Sequence, residues 1–368
     1  MGAEYLAANV RLLRFVGVWN DYPDGSLARR AYHLLTAFVA CAFVLHLCTQ
    51  FAFPFSHIDD PGDALEGFNL TTVYVVTFLK MLTLLRRRAE VAALMRGLER
   101  SGGGAEAGIL AEGDRHADRL TRWFSALTAL GTGFFFLHAA LTVAPTVAPC
   151  SAGNRSVDEH CLDPDRNLVY PAEFPFDTAG DSLGHVGALV FQLVGPGLFG
   201  NAVNLAADML LVSVLIHLRA RFRALGHLLR QLDPGLGHRR LCECVRLHQE
   251  LYRLSATVGD IFSPLLFMQC FFSSLSYCII LFHLTMVSDD GVHLLKNGLF
   301  LLTHMGQLLL FCWFGTQIYE EVRLSPPVPT PRVVSQWLAS GWRDPAEASA
   351  AVVGQEPRWL KTHAYFPA

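Results

Sequence analysis

Six long apolar stretches divide the chain, from Tyr32 to Phe53, Leu65 to Leu85, Trp123 to Ala144, His185 to His217, Phe262 to Val287 and Leu294 to Ile318. Each is near or above the roughly 20 residues that a helix needs to cross about 30 Å of hydrocarbon. In lipid the backbone must satisfy its own hydrogen bonds, which leaves helices for runs of this length. The pattern therefore predicts an all-α polytopic membrane bundle of six transmembrane helices. The fourth stretch exceeds the minimum by about a dozen residues, so it is expected to tilt strongly or to extend beyond the bilayer. In its middle, Gly195-Pro196-Gly197-Leu198-Phe199-Gly200 matches the dinucleotide-binding G-x-G-x-x-G spacing, yet it follows no strand and lies within an apolar span. A proline kink with close helix packing accounts for it better.

Between these stretches arginine is sorted by gap. Arg86, Arg87, Arg88, Arg96, Arg100, Arg115, Arg119 and Arg122 fall in the second gap. Arg219, Arg221, Arg223, Arg230, Arg239, Arg240, Arg246 and Arg253 fall in the fourth. The first gap carries Asp59, Asp60 and Asp63 with no basic residue, the third is acidic apart from Arg155 and Arg166, and the fifth carries Asp289 and Asp290. Basic loops stay in the cytoplasm, so the N-terminus, with Arg11, Arg14, Arg29 and Arg30, is expected inside. That orientation is inverted relative to a G-protein-coupled receptor, and an even number of spans brings the C-terminus to the same side.

Composition agrees, with 52% hydrophobic and 17% charged residues in 368 positions. The net charge of -3 conceals basic inner loops and acidic outer ones. The arginine clusters flank spans, where orientation explains them, so no nucleic-acid partner is expected. The first ten residues lack a basic segment followed by an apolar core, so the first span is expected to serve as the signal anchor. Ser101 to Ala107 is glycine-rich and reads as a flexible turn.

Most of the nine cysteines, Cys41, Cys48, Cys270, Cys278 and Cys312 among them, sit in apolar spans as small hydrophobes. Cys150 and Cys161 lie in the third gap, where they either close a disulfide or remain free thiols. Asn154-Arg155-Ser156 between them fits a glycosylation acceptor, whereas Asn69-Leu70-Thr71, inside the second span, reads as an ordinary polar pair. Cys242-Glu243-Cys244 has the wrong spacing for a zinc knuckle. The motifs of hydrolases, metalloproteases, redox dithiols and phosphate-binding loops are absent from the sequence, so neither an enzyme nor a cofactor is expected and no catalytic residue is assigned.

Asn201, Asn204 and Asp208 share one face of the fourth span. Asp208 lies nine residues before His217, about 13 Å along a helix. It either faces the bundle interior or a hydrated cavity, or belongs to the cytoplasmic interface if the helix emerges early. Lys80 is expected to snorkel toward Arg86. Tyr74, Phe78, Phe134, Phe135, Phe136, His138, Phe191 and Phe199 crowd the outer halves of the second to fourth spans, where they can line an apolar pocket or serve only helix packing.

Several separated segments resemble the insect odorant receptors. Leu12-Leu13-Arg14-Phe15-Val16-Gly17-Val18-Trp19 looks like that family's N-terminal segment, and Tyr170-Pro171 with Phe174-Pro175-Phe176-Asp177 looks like its second extracellular loop. His248-Gln249-Glu250-Leu251, continuing to Phe262-Ser263-Pro264 and Gln269, is similar to its entry into the fifth span; Phe311-Cys312-Trp313-Phe314-Gly315 with Glu320 is similar to the inner end of its sixth. The resemblance implies an odorant-gated, non-selective cation channel, in which this chain is the tuning subunit of a hetero-tetramer with the family's co-receptor. It also implies a small volatile organic ligand, a lipid environment in the plasma membrane of sensory neurons, and an odorant pocket built from Tyr74, Phe78, Phe134, Phe135, His138, Phe191 and Phe199. Residues 1–31 are then a cytoplasmic segment, 32–321 the receptor domain and 322–368 a proline-rich tail. The family has a seventh helix, so this tail is expected to reflect truncation or mis-splicing. The competing readings are a gustatory receptor of the same superfamily and a small-solute transporter built around Asp208.

Overall fold

A computed structural model describes residues 6–20, 22–59, 61–99, 106–143, 168–176, 178, 182–230, 238–286 and 291–324. Their regular structure is helical: α1 Ala7–Phe15, α2 Leu27–Ser56, α3 Pro61–Arg86, α4 Arg88–Glu99, α5 Glu106–Val143, α6 Ser182–Gln192, a π-helical turn Leu193–Gly200, α7 Asn201–Arg230, α8 His238–Met286 and α9 Gly291–Leu324. Five helical rods among the described residues are long and apolar enough to cross a membrane: Leu27–Ser56, Ala64–Arg86, Leu183–Arg230, Glu243–Phe282 and Gly298–Val322. They coincide with five of the six apolar stretches. The remaining stretch, from Trp123, forms the second half of α5, whose first half is charged.

The rod Leu183–Arg230 is 48 residues long, about 72 Å at 1.5 Å per residue, which accounts for the excess length of the fourth stretch. Pro196 cannot donate a backbone hydrogen bond, and the chain answers with an i to i+5 turn over Leu193–Gly200 rather than a break. Glycines at this turn let neighbours approach closely. A Cβ on Gly197 would lie 3.1 Å from the Gln192 carbonyl oxygen and 3.1 Å from Phe136, and one on Gly200 would lie 3.2 Å from Tyr74.

The second half of this rod, α7, is the mast of the bundle. It packs against α1, α3, α4, α5, α8 and α9, and Leu210, Val214 and Leu225 on it are fully buried. Of the most apolar window of the rod 72% is buried, against 11% for α9. Leu302, Met305, Leu309 and Trp313 of α9 are exposed, as are Phe267 and Phe271 of α8. These faces suit hydrocarbon.

At the arginine-rich end the N-terminal segment is hooked into the bundle. The buried Asn9 amide donates to Ser213 Oγ of α7 (2.8 Å) and to Thr121 Oγ1 of α5 (3.3 Å). α1 ends in a Schellman turn, with Val18 N–H bonded to the Leu13 carbonyl (3.0 Å) and Gly17 N–H to that of Arg14 (3.2 Å). Gly17 has φ +80°, and Thr36 Oγ1 of α2 donates to its carbonyl at 2.6 Å. Ser26 then caps α2 through the Arg29 N–H. Nearby, His217 Nε2 lies 3.3 Å from Asp114 Oδ1, and this hydrogen bond holds the Asp114 carboxyl below the usual carboxylate range. Arg219 donates to Gln317 (2.6 Å), and Arg219 and Arg223 each lie 3.5 Å from Glu321, pinning α9 to α7.

Candidate ligand site in the bundle

At the end of the bundle opposite the arginines, four rings from separate elements meet. His46 of α2 stands edge-to-face on Tyr74 of α3 at 4.4 Å, and lies 5.9 Å from Tyr170 and 6.4 Å from Phe191 of α6. Tyr74 and Tyr170 are themselves T-shaped at 5.7 Å, a geometry favoured by the ring quadrupoles. Tyr170 belongs to an irregular strap rather than a helix, and the strap is tied to both α6 and α2. Gln192 clamps the Tyr170 backbone, accepting from its N–H (3.1 Å) and donating to its carbonyl (2.8 Å). The Gln50 amide donates to the Pro171 carbonyl (3.3 Å), and Glu173 N–H to that of Thr49 (2.9 Å). Phe174 closes the outside, edge-on to Phe191 at 6.2 Å.

Of the aromatic residues singled out from sequence, Tyr74 and Phe191 therefore lie in one cluster. Phe78 meets Phe43 one helical turn deeper, at 6.3 Å. Phe199 stacks on Phe15 of α1 at 5.6 Å and edges Phe38 of α2 at 6.4 Å, apart from Tyr74. Phe134, Phe135 and His138 lie on α5, with side chains outside the described residues, as are Cys150, Cys161 and Asn154 in full. His46, Gln50 and Gln192 were not singled out from sequence. The available signal was the pair His46 and Gln50, spaced i, i+4 on one face of a mostly apolar span.

Deeper in the bundle the polar face of α7 finds its partner. Lys80 is buried and does not snorkel toward Arg86; its Nζ donates to Asp208 Oδ1 (2.6 Å) and Asn204 Oδ1 (2.7 Å). The physical reason is that a buried carboxylate on the adjoining helix α7 supplies a nearer partner than the membrane surface. Asp208 also accepts from the Gln307 amide of α9. Its place is thus the bundle interior. Asn201, on the same stripe, turns elsewhere, to the Gly197 carbonyl (2.8 Å) and Thr132 of α5 (3.4 Å). Beside the pair, a small pocket with room for about one water is bordered by the polar side chains of Thr72, Asn204, Gln269, Ser273, His304 and Gln307 and by the apolar ones of Val73, Val76 and Phe272.

A 7tm Odorant receptor family model matches residues 60–323. Odorant receptor Or1 of Anopheles gambiae is 22% identical over 186 residues, 43% of this chain and 44% of that protein. Odorant receptor 85b of Drosophila melanogaster is 31% identical over 137 residues, 36% of this chain and 35% of that protein. Each alignment spans less than half of the relative's own length. The solved insect olfactory receptor OR5 from Machilis hrabei superposes with a TM-score of 0.69 at 15% identity, over 95% of this chain and 87% of that one. The same receptor solved in complex with eugenol superposes with a TM-score of 0.65 at 16% identity, over 86% and 80%. The family match covers most of the chain, and the shared helical architecture extends beyond it: this protein is a member of the 7tm odorant receptor family.

Proposed function

We propose that the chain is the ligand-binding, tuning subunit of an odorant-gated non-selective cation channel, assembled with the family's co-receptor as a hetero-tetramer in the plasma membrane of sensory neurons. Its N-terminus and the arginine-rich end lie in the cytoplasm, by the charge asymmetry of the gaps. The receptor domain occupies residues 32–321. The observation that carries the ligand reading is the ring cluster of His46, Tyr74, Tyr170 and Phe191, at the end of the bundle away from the arginines. Aromatic walls with few polar groups suit a small, volatile organic molecule, because dispersion and apolar burial supply most of the affinity. OR5 from Machilis hrabei has been solved with eugenol, a molecule of that class.

The pairing of Asp208 with Lys80 weighs against the transporter reading, in which that carboxylate would have to face a substrate or ion instead. The test is current from cells expressing this chain and the co-receptor together. An odorant-dependent cation current requiring both chains is expected; current with neither odorant nor co-receptor, or uptake of a solute, overturns the proposal.

A further inference from the structure

Two buried acceptors in the ring cluster lack a donor. His46 is wholly buried, and neither ring nitrogen has a hydrogen-bond partner among the described residues. A neutral imidazole carries one N–H and one lone pair whichever tautomer it adopts. Resting an N–H on the Tyr74 ring would satisfy the donor only weakly and leaves the lone pair open. One turn along the same face of α2, Gln50 is also wholly buried, with Oε1 unpartnered. Its amide orientation is fixed, because Nε2 faces the Pro171 carbonyl, which can only accept. The open groups are thus an acceptor on each residue and an N–H on His46, a set that a hydroxyl, which both donates and accepts, can answer in full and an ether oxygen, which only accepts, cannot.

Leaving such groups unpaired in a buried site costs free energy that a ligand can return. We propose that His46 and Gln50 make this site selective for small alcohols and phenols, with the hydroxyl donated to α2 and the hydrocarbon part against Tyr74 and Phe191. An ionised amine also donates, but it must leave its hydration behind in an apolar site. This inference rests on the odorant-receptor reading and narrows it to a chemical class.

Isomers with and without a hydroxyl test it: para-cresol against anisole, and heptanol against hexyl methyl ether. Each is titrated onto the purified full chain in lipid nanodiscs, with the melting midpoint as readout. The hydroxylated isomer should bind about tenfold tighter, the worth of one well-placed hydrogen bond in a buried site. His46→Phe should erase that preference while leaving ether affinity within about threefold, and should raise the melting midpoint of the unliganded protein by removing unpaired polar atoms. His46→Gln, which keeps an acceptor, should keep part of the preference, and it carries the test should the Phe variant fail to fold. Equal binding of both isomers, or a preference that survives His46→Phe, overturns the proposal alone. Failure of all four molecules to bind overturns it together with the odorant reading.

Discussion

Lys80 Nζ lies 2.6 Å from Asp208 Oδ1, and neither side chain is more than 8% exposed. A pair so desolvated gains little over two apolar residues, but breaking it strands a charge. Lys80→Met or Asp208→Leu alone should cost about 3–5 kcal/mol, seen as a lower melting midpoint and poor surface delivery. The double variant Lys80→Met with Asp208→Leu should recover most of the loss. Additive losses would show that the two side chains act independently.

Gly17 combines φ +80° with a Cβ position 3.2 Å from the Thr36 backbone. Gly17→Ala should destabilise by about 1–2 kcal/mol from the left-handed conformation alone, and protease cleavage near the N-terminus should accelerate because the hook on α2 loosens. Gly25→Ala is the control for conformation without contact: its φ is +79° with nothing within 4 Å. The excess of the first over the second measures the contact.

Gly200 lets the π-helical turn approach Tyr74, with a Cβ position 3.2 Å from the ring. Gly200→Val should displace Tyr74 and shift odorant potency by at least about tenfold, equivalent to about 1.4 kcal/mol, while the protein still reaches the surface. Gly187→Val, on the same rod with nothing within 4 Å, should leave potency unchanged in the same dose-response assay.

Asp114 is held below the usual carboxylate range chiefly by the hydrogen bond from His217, which outweighs its partial desolvation. A carboxyl with a depressed folded value stabilises fully above its unfolded value near pH 4 and loses that contribution as pH falls through the folded one. The melting midpoint of the wild type should therefore fall more steeply below about pH 4 than that of Asp114→Asn. Parallel curves would remove Asp114 from the acid response.

Hydropathy and glycine spacing made the helices legible, because each depends on neighbours within a few turns. The excess length of the fourth stretch points to the rod Leu183–Arg230 and the proline-glycine run at its centre to a local perturbation, but the i to i+5 form of that turn does not follow from either. The pairing of Lys80 with Asp208 was not legible, since the partners stand 128 positions apart and a lysine six residues from Arg86 has an equally good local exit. The same limit hid His46, whose partners come from α3, from α6 and from a strap that hydropathy alone leaves shapeless. Tyr170-Pro171 drew attention only through family resemblance, while its physical role is set by Gln192, 22 positions on.

α7 and α9 are written in much the same apolar alphabet but have different solvents. The window of the rod that contains α7 is 72% buried, so its medium is protein and substitutions there will be judged by volume and shape. The α9 window is 11% buried, so substitutions there will be judged mainly by transfer free energy into oil, with size nearly free to vary. A hydropathy scale thus misjudges the central helix, for which Leu210→Ala is a cavity rather than a change of polarity. The tolerance map of this receptor should follow the position of each helix in the bundle, not its composition.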